Sequence, residues 1–348
     1  MTSSPSAFLI DAAIEPHPDR LDAVEQAWVS LVGPGPTLSM AERHEVVQRS
    51  RDAWVGGDPP NPGEHPLAEA AHWVAVDAEG LNEKFVGDLE RRGLDRLRYL
   101  EVVGIVGRLA NIDWYARGLG ATVPALDHLP GPGPGPGPGP GPGAKTPSGE
   151  PTGEVHPEAR IMDGWVPATG PLQIVPFVLD ALPSEGRALR RILQPMYVPF
   201  GHLTDATYVD AISKPQIEYL AARTSYLNEC FYSLLAHTGF LRASSNELGI
   251  DFDYSVVASG ATPVLKAGEE LAALVQRMGT DRLNPPTAER EALAVALNER
   301  AAERAVGVVA ALQMLNRLLD GIGAPVGQRA HFHSIARLLD FQVADLPR

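Results

Sequence analysis

The sequence of 348 residues predicts an all-α protein. Apolar residues recur at spacings of three and four over ten segments, which is the period of an amphipathic helix. Runs of strict alternation between apolar and polar residues, which would indicate strands, are scarce. Hydrophobic residues make up 44% and charged residues 21% of the chain, so the composition supports a buried core and argues against wholesale disorder.

Local signals place the helix starts. Ser39 precedes Glu42 by three residues, which is the pattern of an N-terminal capping box. Ser213 is a candidate cap, and Pro215 suits the first turn of the helix that follows it. Asn228 is predicted to cap the next helix. The predicted helical segments are 38–56, 66–76, 81–92, 95–118, 186–197, 213–227, 229–243, 264–278, 287–300 and 302–320.

A low-complexity segment divides the predicted helices into two groups. Residues 131–143 alternate Gly and Pro, and the period of two excludes a collagen helix. We interpret residues 130–153 as a Gly/Pro-rich flexible linker, extended over at most about 40 Å. It would join two helical domains, residues 1–129 and residues 154–348.

An internal repeat indicates that these two domains are related. Residues 102–120 align without gaps with residues 305–323, at an offset of 203 positions. Glycines inside a helical pattern are disfavoured unless they serve close packing, so chance similarity of two apolar helices is the less favoured interpretation. The identical pairs include Val103/Val306, Gly104/Gly307, Val106/Val309, Leu109/Leu312, Gly118/Gly321 and Gly120/Gly323.

Charge and composition exclude several classes of partner. The 29 Lys and Arg against 43 Asp and Glu give a net charge of −14, which argues against binding to nucleic acid or to an anionic membrane. No apolar run approaches the ~18 residues of a membrane span, and the N-terminus lacks the pattern of a secretory signal. A single cysteine excludes an internal disulfide. We therefore expect a cytoplasmic protein. His331 and His333 would diverge on a helix, and we predict no metal and no cofactor.

The residues around that single cysteine are the candidate catalytic residues. Ser233 and His237 follow Cys230 at +3 and +7, so the three share one helix face. A cap at Asn228 would place Cys230 in the first helical turn, where the helix dipole would lower the pKa of its thiol. Glu218, on the preceding helix, could orient His237 and relay its proton. The alternative is structural: a buried cysteine, a core histidine and a surface glutamate.

The spacing of these residues resembles the signature of the alkylhydroperoxidase D-like (AhpD-like) branch of the carboxymuconolactone decarboxylase superfamily, Glu-x11-Cys-x2-Cys-x3-His. Glu218, Cys230 and His237 occupy their positions in the segment KPQIEYLAARTSYLNECFYSLLAH, and Ser233 stands where the second cysteine belongs. The first domain resembles a degenerate copy, with Glu45 in the place of Glu218 and no cysteine after it.

The resemblance implies an all-helical, homo-oligomeric fold and a peroxidase. In members with both cysteines the second attacks an organic hydroperoxide, the first resolves the product as a disulfide, and Glu and His relay protons. In this sequence, the resemblance gives Cys230 the resolving position and puts Ser233 in place of the attacking thiol. Glu218 and His237 keep the proton relay. Serine has no accessible sulfenic state, so the two-cysteine cycle is excluded within one subunit.

Three functions remain open from the sequence. The first is thiol-dependent reduction of a small-molecule hydroperoxide through Cys230, with an external thiol reductant and the relay of Glu218 and His237. The second is a lyase or isomerase that uses Glu218 and His237 as acid and base on a carboxylated or lactone substrate. The third is a non-catalytic helical scaffold.

Overall fold

The computed structural model describes residues 8–9, 11–61, 63, 65–127, 149–170, 175–326 and 330–341. These residues form thirteen α-helices, two 3-10 turns and two hairpins of two-residue strands, so the predicted all-α class is confirmed. The helices are α1 Pro18–Val32, α2 Met40–Trp54, α3 Pro66–Val76, α4 Glu83–Arg91, α5 Arg96–Leu119, α6 Pro183–Met196, α7 Lys214–Leu227, α8 Phe231–Glu247, α9 Ser255–Ser259, α10 Gly268–Thr280, α11 Thr287–Ala296, α12 Glu299–Gly321 and α13 Ala330–Leu338. The antiparallel strand pairs are β1 Arg160–Ile161 with β2 Pro167–Ala168, and β3 Val209–Asp210 with β4 Ile212–Ser213.

The helix caps agree with the sequence at two of three positions. Ser39 and Glu42 form the predicted capping box at the start of α2. Ser213 precedes α7, and its N–H and hydroxyl donate to Gln216 Oε1 at 2.8 and 2.9 Å. The cap predicted at Asn228 is wrong, because Asn228 ends α7 and the cap of α8 is Cys230. Glu229 between them has φ of 57°, and this left-handed residue turns the chain from one helix into the next.

The two longest helices, α5 and α12, lie antiparallel at the centre and are buried on nearly every side. A β-carbon at Gly118 would overlap Val306, and one at Gly321 would lie 3.0 Å from Val103 Cγ1. These two close contacts are related by the same offset of 203 residues that relates the sequence repeat. The glycines therefore allow the two helices to approach closely, whereas the duplication itself stays a prediction.

Residues from both predicted domains share one hydrophobic core. Ion pairs cross it as well: Arg43 of α2 lies between Glu101 of α5 and Glu185 of α6, and Arg108 pairs with Glu185. All four side chains are almost completely buried. The two halves of the described chain are therefore held together by packing and charge, and the domain boundaries at 129 and 154 stay predictions.

The predicted linker is described only at its end, because residues 130–148 lie outside the described residues. The described end packs on the first half of the chain: the Met40 N–H donates to the Gly149 carbonyl at 2.8 Å, and the Thr152 N–H donates to the Gly35 carbonyl at 2.8 Å. Among the described helices, none has the length and apolar character that crossing a membrane requires.

Gly118→Ala should destabilise the protein by about 1–3 kcal/mol, because the added methyl group overlaps the stiff side chain of buried Val306. The matched control is Gly87→Ala in α4, where the nearest atom would be Arg91 Nη1 at 3.8 Å. That control should gain up to ~1 kcal/mol from helix propensity. Urea unfolding of both variants measures the difference, and equal stability of the two would contradict the packing described for α5 and α12.

Candidate functional site

Glu218 and His237 meet between α7 and α8, as the sequence predicts. The two helices pack side by side and are joined only by the turn through Glu229. His237 Nδ1 lies 2.9 Å from Glu218 Oε2, and the Glu218 carboxyl is 0% exposed. The short connection between the helices therefore brings a carboxylate and an imidazole into direct contact.

Two further residues, Tyr197 and Lys214, complete this cluster, and the sequence analysis missed both. The Tyr197 hydroxyl donates to Glu218 Oε1 at 2.5 Å and lies 3.2 Å from His237 Nδ1. Lys214 Nζ lies 2.8 Å from Glu218 Oε1, and 5.6 Å above the ring centres of Tyr197 and Phe240. Lys214 stands four residues before Glu218, a helical ion-pair spacing that could have indicated it. No local signal connects Tyr197, which follows α6, to Glu218.

The contacts of Glu218 determine the protonation of the cluster. Burial alone would raise the pKa of Glu218, but the hydrogen bond and charge of His237 and the charge of Lys214 outweigh it and lower the pKa. An ionised carboxylate only accepts hydrogen bonds. The shared proton therefore lies on His237 Nδ1 in either state of the ring, and in the neutral ring Nε2 keeps a lone pair. Burial, followed by the charge of Glu218, raises the pKa of Tyr197, so its hydroxyl stays a neutral donor.

A cavity of about 790 Å³ lies against this cluster. Its wall includes Tyr197, Lys214, Ser233 and His237, and most of the remaining lining is aliphatic or aromatic. The lining residues come from α8, α12 and α13, and from α6 and the segments on either side of it. Within the described residues, nothing is hydrogen-bonded to His237 Nε2. The unbonded nitrogen thus belongs to a residue on the wall of a space large enough for a small molecule.

Cys230 has a different place and state from those predicted. Its side chain is 0% exposed and is not part of the cavity wall, whereas Ser233 is. The lowered thiol pKa expected from the helix start is wrong: burial, and then the charge of Asp320, raise the pKa of Cys230 well above its ordinary value. The effect of the helix N-terminus on the thiol pKa is outweighed, because the sulfur is removed from water and faces a carboxyl group.

Ser233 and His237 share one face of α8, but no hydrogen bond joins their side chains. Ser233 Oγ lies beside the Cys230 thiol but makes no hydrogen bond to a nitrogen or oxygen atom. Of the four predicted site residues, the structure joins Glu218 to His237, and among the described residues no hydrogen bond links Cys230 to either of them. Glu45, the predicted counterpart of Glu218, is exposed on α2 rather than buried.

Asp320 on α12 is the neighbour of Cys230 that the sequence did not single out. Loss of hydration raises the pKa of Asp320 to about 8, and the charge of Glu79 acts in the same direction. The carboxyl group is therefore mostly protonated at neutral pH, and its negative charge opposes ionisation of the thiol only above about pH 8. Among the described residues, no group of three histidine, cysteine or acidic side chains is arranged to hold a metal ion.

Comparison with known proteins adds no family to this description. No protein-family model matches the chain, and neither a curated protein nor a solved structure does. The resemblance to the AhpD-like signature therefore depends on Glu218, Cys230 and His237 themselves.

Glu218→Gln should cost about 3 kcal/mol of stability at neutral pH, because it leaves the buried Lys214 without its counterion. The folded-state pKa of Glu218 is lowered, so the stabilisation is complete above the ordinary glutamate value and is lost as pH falls through the lowered value. The difference between wild type and variant should therefore shrink in acid. Urea unfolding between pH 7 and pH 3 measures it, with exposed Glu45→Gln as the control. A difference that is constant with pH would contradict the assigned charge.

Asp320→Asn should stabilise the protein increasingly as pH rises from 5 to 8. In the folded protein Asp320 keeps its proton up to about pH 8, whereas the unfolded chain loses it near the ordinary value of 3.8, so wild-type stability falls over that range. The gain is at most ~1.4 kcal/mol per pH unit, and less for a side chain that is only partly enclosed. Thermal unfolding against pH tests this, with exposed Asp58→Asn as the control. Parallel profiles for wild type and Asp320→Asn would show that the carboxyl is ionised.

Proposed function

We propose that this protein is an acid–base enzyme, an isomerase or lyase, in which His237 moves a proton on a small organic substrate. The observation that carries the proposal is the unbonded Nε2 of a cavity-wall histidine whose Nδ1 is held by the buried carboxylate of Glu218. Geometry of this kind leaves one nitrogen as the base and fixes the direction of its lone pair.

The neighbours of His237 support a gain and loss of a proton at Nε2. When Nε2 accepts a proton the ring becomes a cation, and Glu218 stabilises that cation across the 2.9 Å contact. Tyr197 and Lys214 hold the other carboxylate oxygen, so the carboxylate cannot turn away from the ring. A positioned base of this type contributes about 10²- to 10⁴-fold to a reaction rate.

Thiol-dependent peroxidase activity is the competing proposal, and the placement of Cys230 weighs against it. The thiolate is the form that attacks a peroxide, and burial beside Asp320 disfavours that form in Cys230. The residue in the cavity lining at the family's attacking position is Ser233, which has no redox chemistry. A scaffold without catalysis accounts less well for a buried charge cluster at a cavity. A cytoplasmic location and a homo-oligomeric state belong to the same proposal.

Proton transfer can be measured as exchange of carbon-bound hydrogen with solvent deuterium. We expect the wild-type protein in D₂O to accelerate deuterium incorporation next to the carbonyl of at least one of three probes, read by mass spectrometry. The probes are 2-acetonaphthone, 2-naphthylacetate and 2-coumaranone, which are a ketone, a carboxylate and a lactone. His237→Gln should lower the accelerated rate by ~100-fold or more, because no other base replaces Nε2.

The matched variant Cys230→Ser separates the two proposals, because it should keep the full exchange rate. Parallel assays follow cumene hydroperoxide consumption with dithiothreitol. Hydroperoxide consumption that depends on Cys230, together with no exchange in any probe, would overturn the acid–base proposal and establish the peroxidase. Ser233→Cys, which restores the second cysteine of the signature, serves as the positive control for peroxidase activity in this fold.

A further inference from the structure

We infer that Arg304 is a positioning residue of the proposed reaction, which holds the backbone of Tyr197 so that the phenol hydroxyl reaches Glu218. The effect on rate rests on the proposed function, but the hydrogen bond between Tyr197 and Glu218 can be measured without turnover. Arg304 lies on α12 and is 1% exposed. Among the described residues, no hydrogen bond or ion pair joins Arg304 to Glu218 or His237, so it acts on the site through Tyr197.

The last carbonyls of α6 accept hydrogen bonds from two buried arginines. Arg304 donates from Nη1 to the Met196 carbonyl at 2.7 Å, and from Nη2 to the Tyr197 carbonyl. Arg20 of α1 donates to the Pro195 carbonyl at 3.3 Å. A helix leaves its final carbonyls without intrahelical partners. A planar guanidinium that bonds two of them therefore sets the direction in which the chain leaves α6, and it leaves at Tyr197.

Asp210 holds both guanidinium groups in place. Arg304 Nε lies 2.8 Å from Asp210 Oδ2, and Arg20 Nη1 lies 3.1 Å from the same oxygen. Burial alone would raise the pKa of Asp210, but the charges of Arg304 and Arg20 outweigh it and lower the pKa, so the carboxylate is ionised at neutral pH. Arg20 is paired with Glu303 as well, which balances the second positive charge. We call Arg20, Arg304 and Asp210 the arginine clasp.

The arginine clasp also reaches the segment that carries Lys214. Asp210 ends β3, which pairs with β4, and β4 leads directly into α7. The Lys214 N–H donates to the carbonyl of Tyr208, the residue before β3, at 3.0 Å. The clasp therefore joins α12 to both segments from which Tyr197 and Lys214 reach Glu218.

The exact position of Tyr197 matters for the orientation of His237. The Tyr197 hydroxyl donates to Glu218 Oε1 at 2.5 Å, while His237 Nδ1 contacts the other oxygen, Oε2. The Tyr197 ring also meets the His237 ring edge to face, with centres 5.2 Å apart. A shift of about 1 Å at Tyr197 would disturb both contacts, and misplacement on that scale costs up to ~100-fold in rate.

The ¹³Cζ resonance of Tyr197 reports its hydrogen bond in the full-length protein labelled at tyrosine Cζ. Its absence in Tyr197→Phe assigns the signal, and Glu218→Gln at pH 8 gives the position without the carboxylate. We expect the resonance in Arg304→Gln to move to the position found in Glu218→Gln. The matched control is Arg300→Gln on the same helix, which removes a 62% exposed partner of Asp210 and should leave the resonance unchanged.

Arg304→Lys provides a second variant, which decides the question if Arg304→Gln does not fold. Lysine keeps the charge beside Asp210, but one ammonium group cannot bond two carbonyls as the fork of a guanidinium does. We expect Arg304→Lys to resist urea better than Arg304→Gln and yet to show the displaced resonance, which a purely stabilising role would not produce. An unmoved resonance in either variant, once circular dichroism shows that it is folded, would overturn the inference.

Deuterium exchange separates this inference from the proposed function. With a probe that wild type exchanges, the Arg304 variants should lower kcat about 10- to 100-fold, and Arg300→Gln should not. Unchanged kcat in both Arg304 variants would overturn the inference. A displaced Tyr197 resonance in the variants, together with no exchange by wild type, would refute the proposed function alone. An unmoved resonance, together with exchange that depends on His237, would refute this inference alone.

Discussion

The buried carboxylate of Glu218 is the group on which the site depends. It receives the Tyr197 hydroxyl from the residue after α6, the Lys214 ammonium from α7 and the His237 imidazole from α8. A buried carboxylate without such partners would lose its charge, so the three contacts and the ionised state require one another. The orientation of the His237 ring, whose Nδ1 is bound to this carboxylate, follows from this single charge.

The central helices α12 and α5 fix the position of α7, which carries Glu218 and Lys214. α7 is tied to α12 by the hydrogen bond from Ser225 Oγ to Asn316 Oδ1 at 3.2 Å, and Asn228, at the end of α7, bonds to Gln313 Oε1 at 3.2 Å. α12 in turn packs along α5, where glycines permit the close approach. The position of the imidazole is therefore set by the core of the whole described chain rather than by a surface loop.

The sequence predicts well what depends on local pattern. Helical periodicity gives the all-α class, and the residue types at a helix start give the capping box at Ser39. The contact between Glu218 and His237 was expected from the AhpD-like signature, whose two helices follow each other directly along the chain. Tyr197 could not be predicted in this way, since it reaches Glu218 only through tertiary packing. The thiol pKa of Cys230 was predicted in the wrong direction, because the helix terminus is visible in the sequence and the burial beside Asp320 is not.

The tautomer of His237 tests the central claim most directly. Long-range ¹⁵N–¹H correlation spectra at pH 8, with His237→Gln used to assign the signal, report which ring nitrogen carries the proton. The account predicts the Nδ1–H tautomer in wild type and a loss of that preference in Glu218→Gln. A neutral ring protonated at Nε2 would contradict it, because the nitrogen that Glu218 does not hold would then be a donor instead of a base.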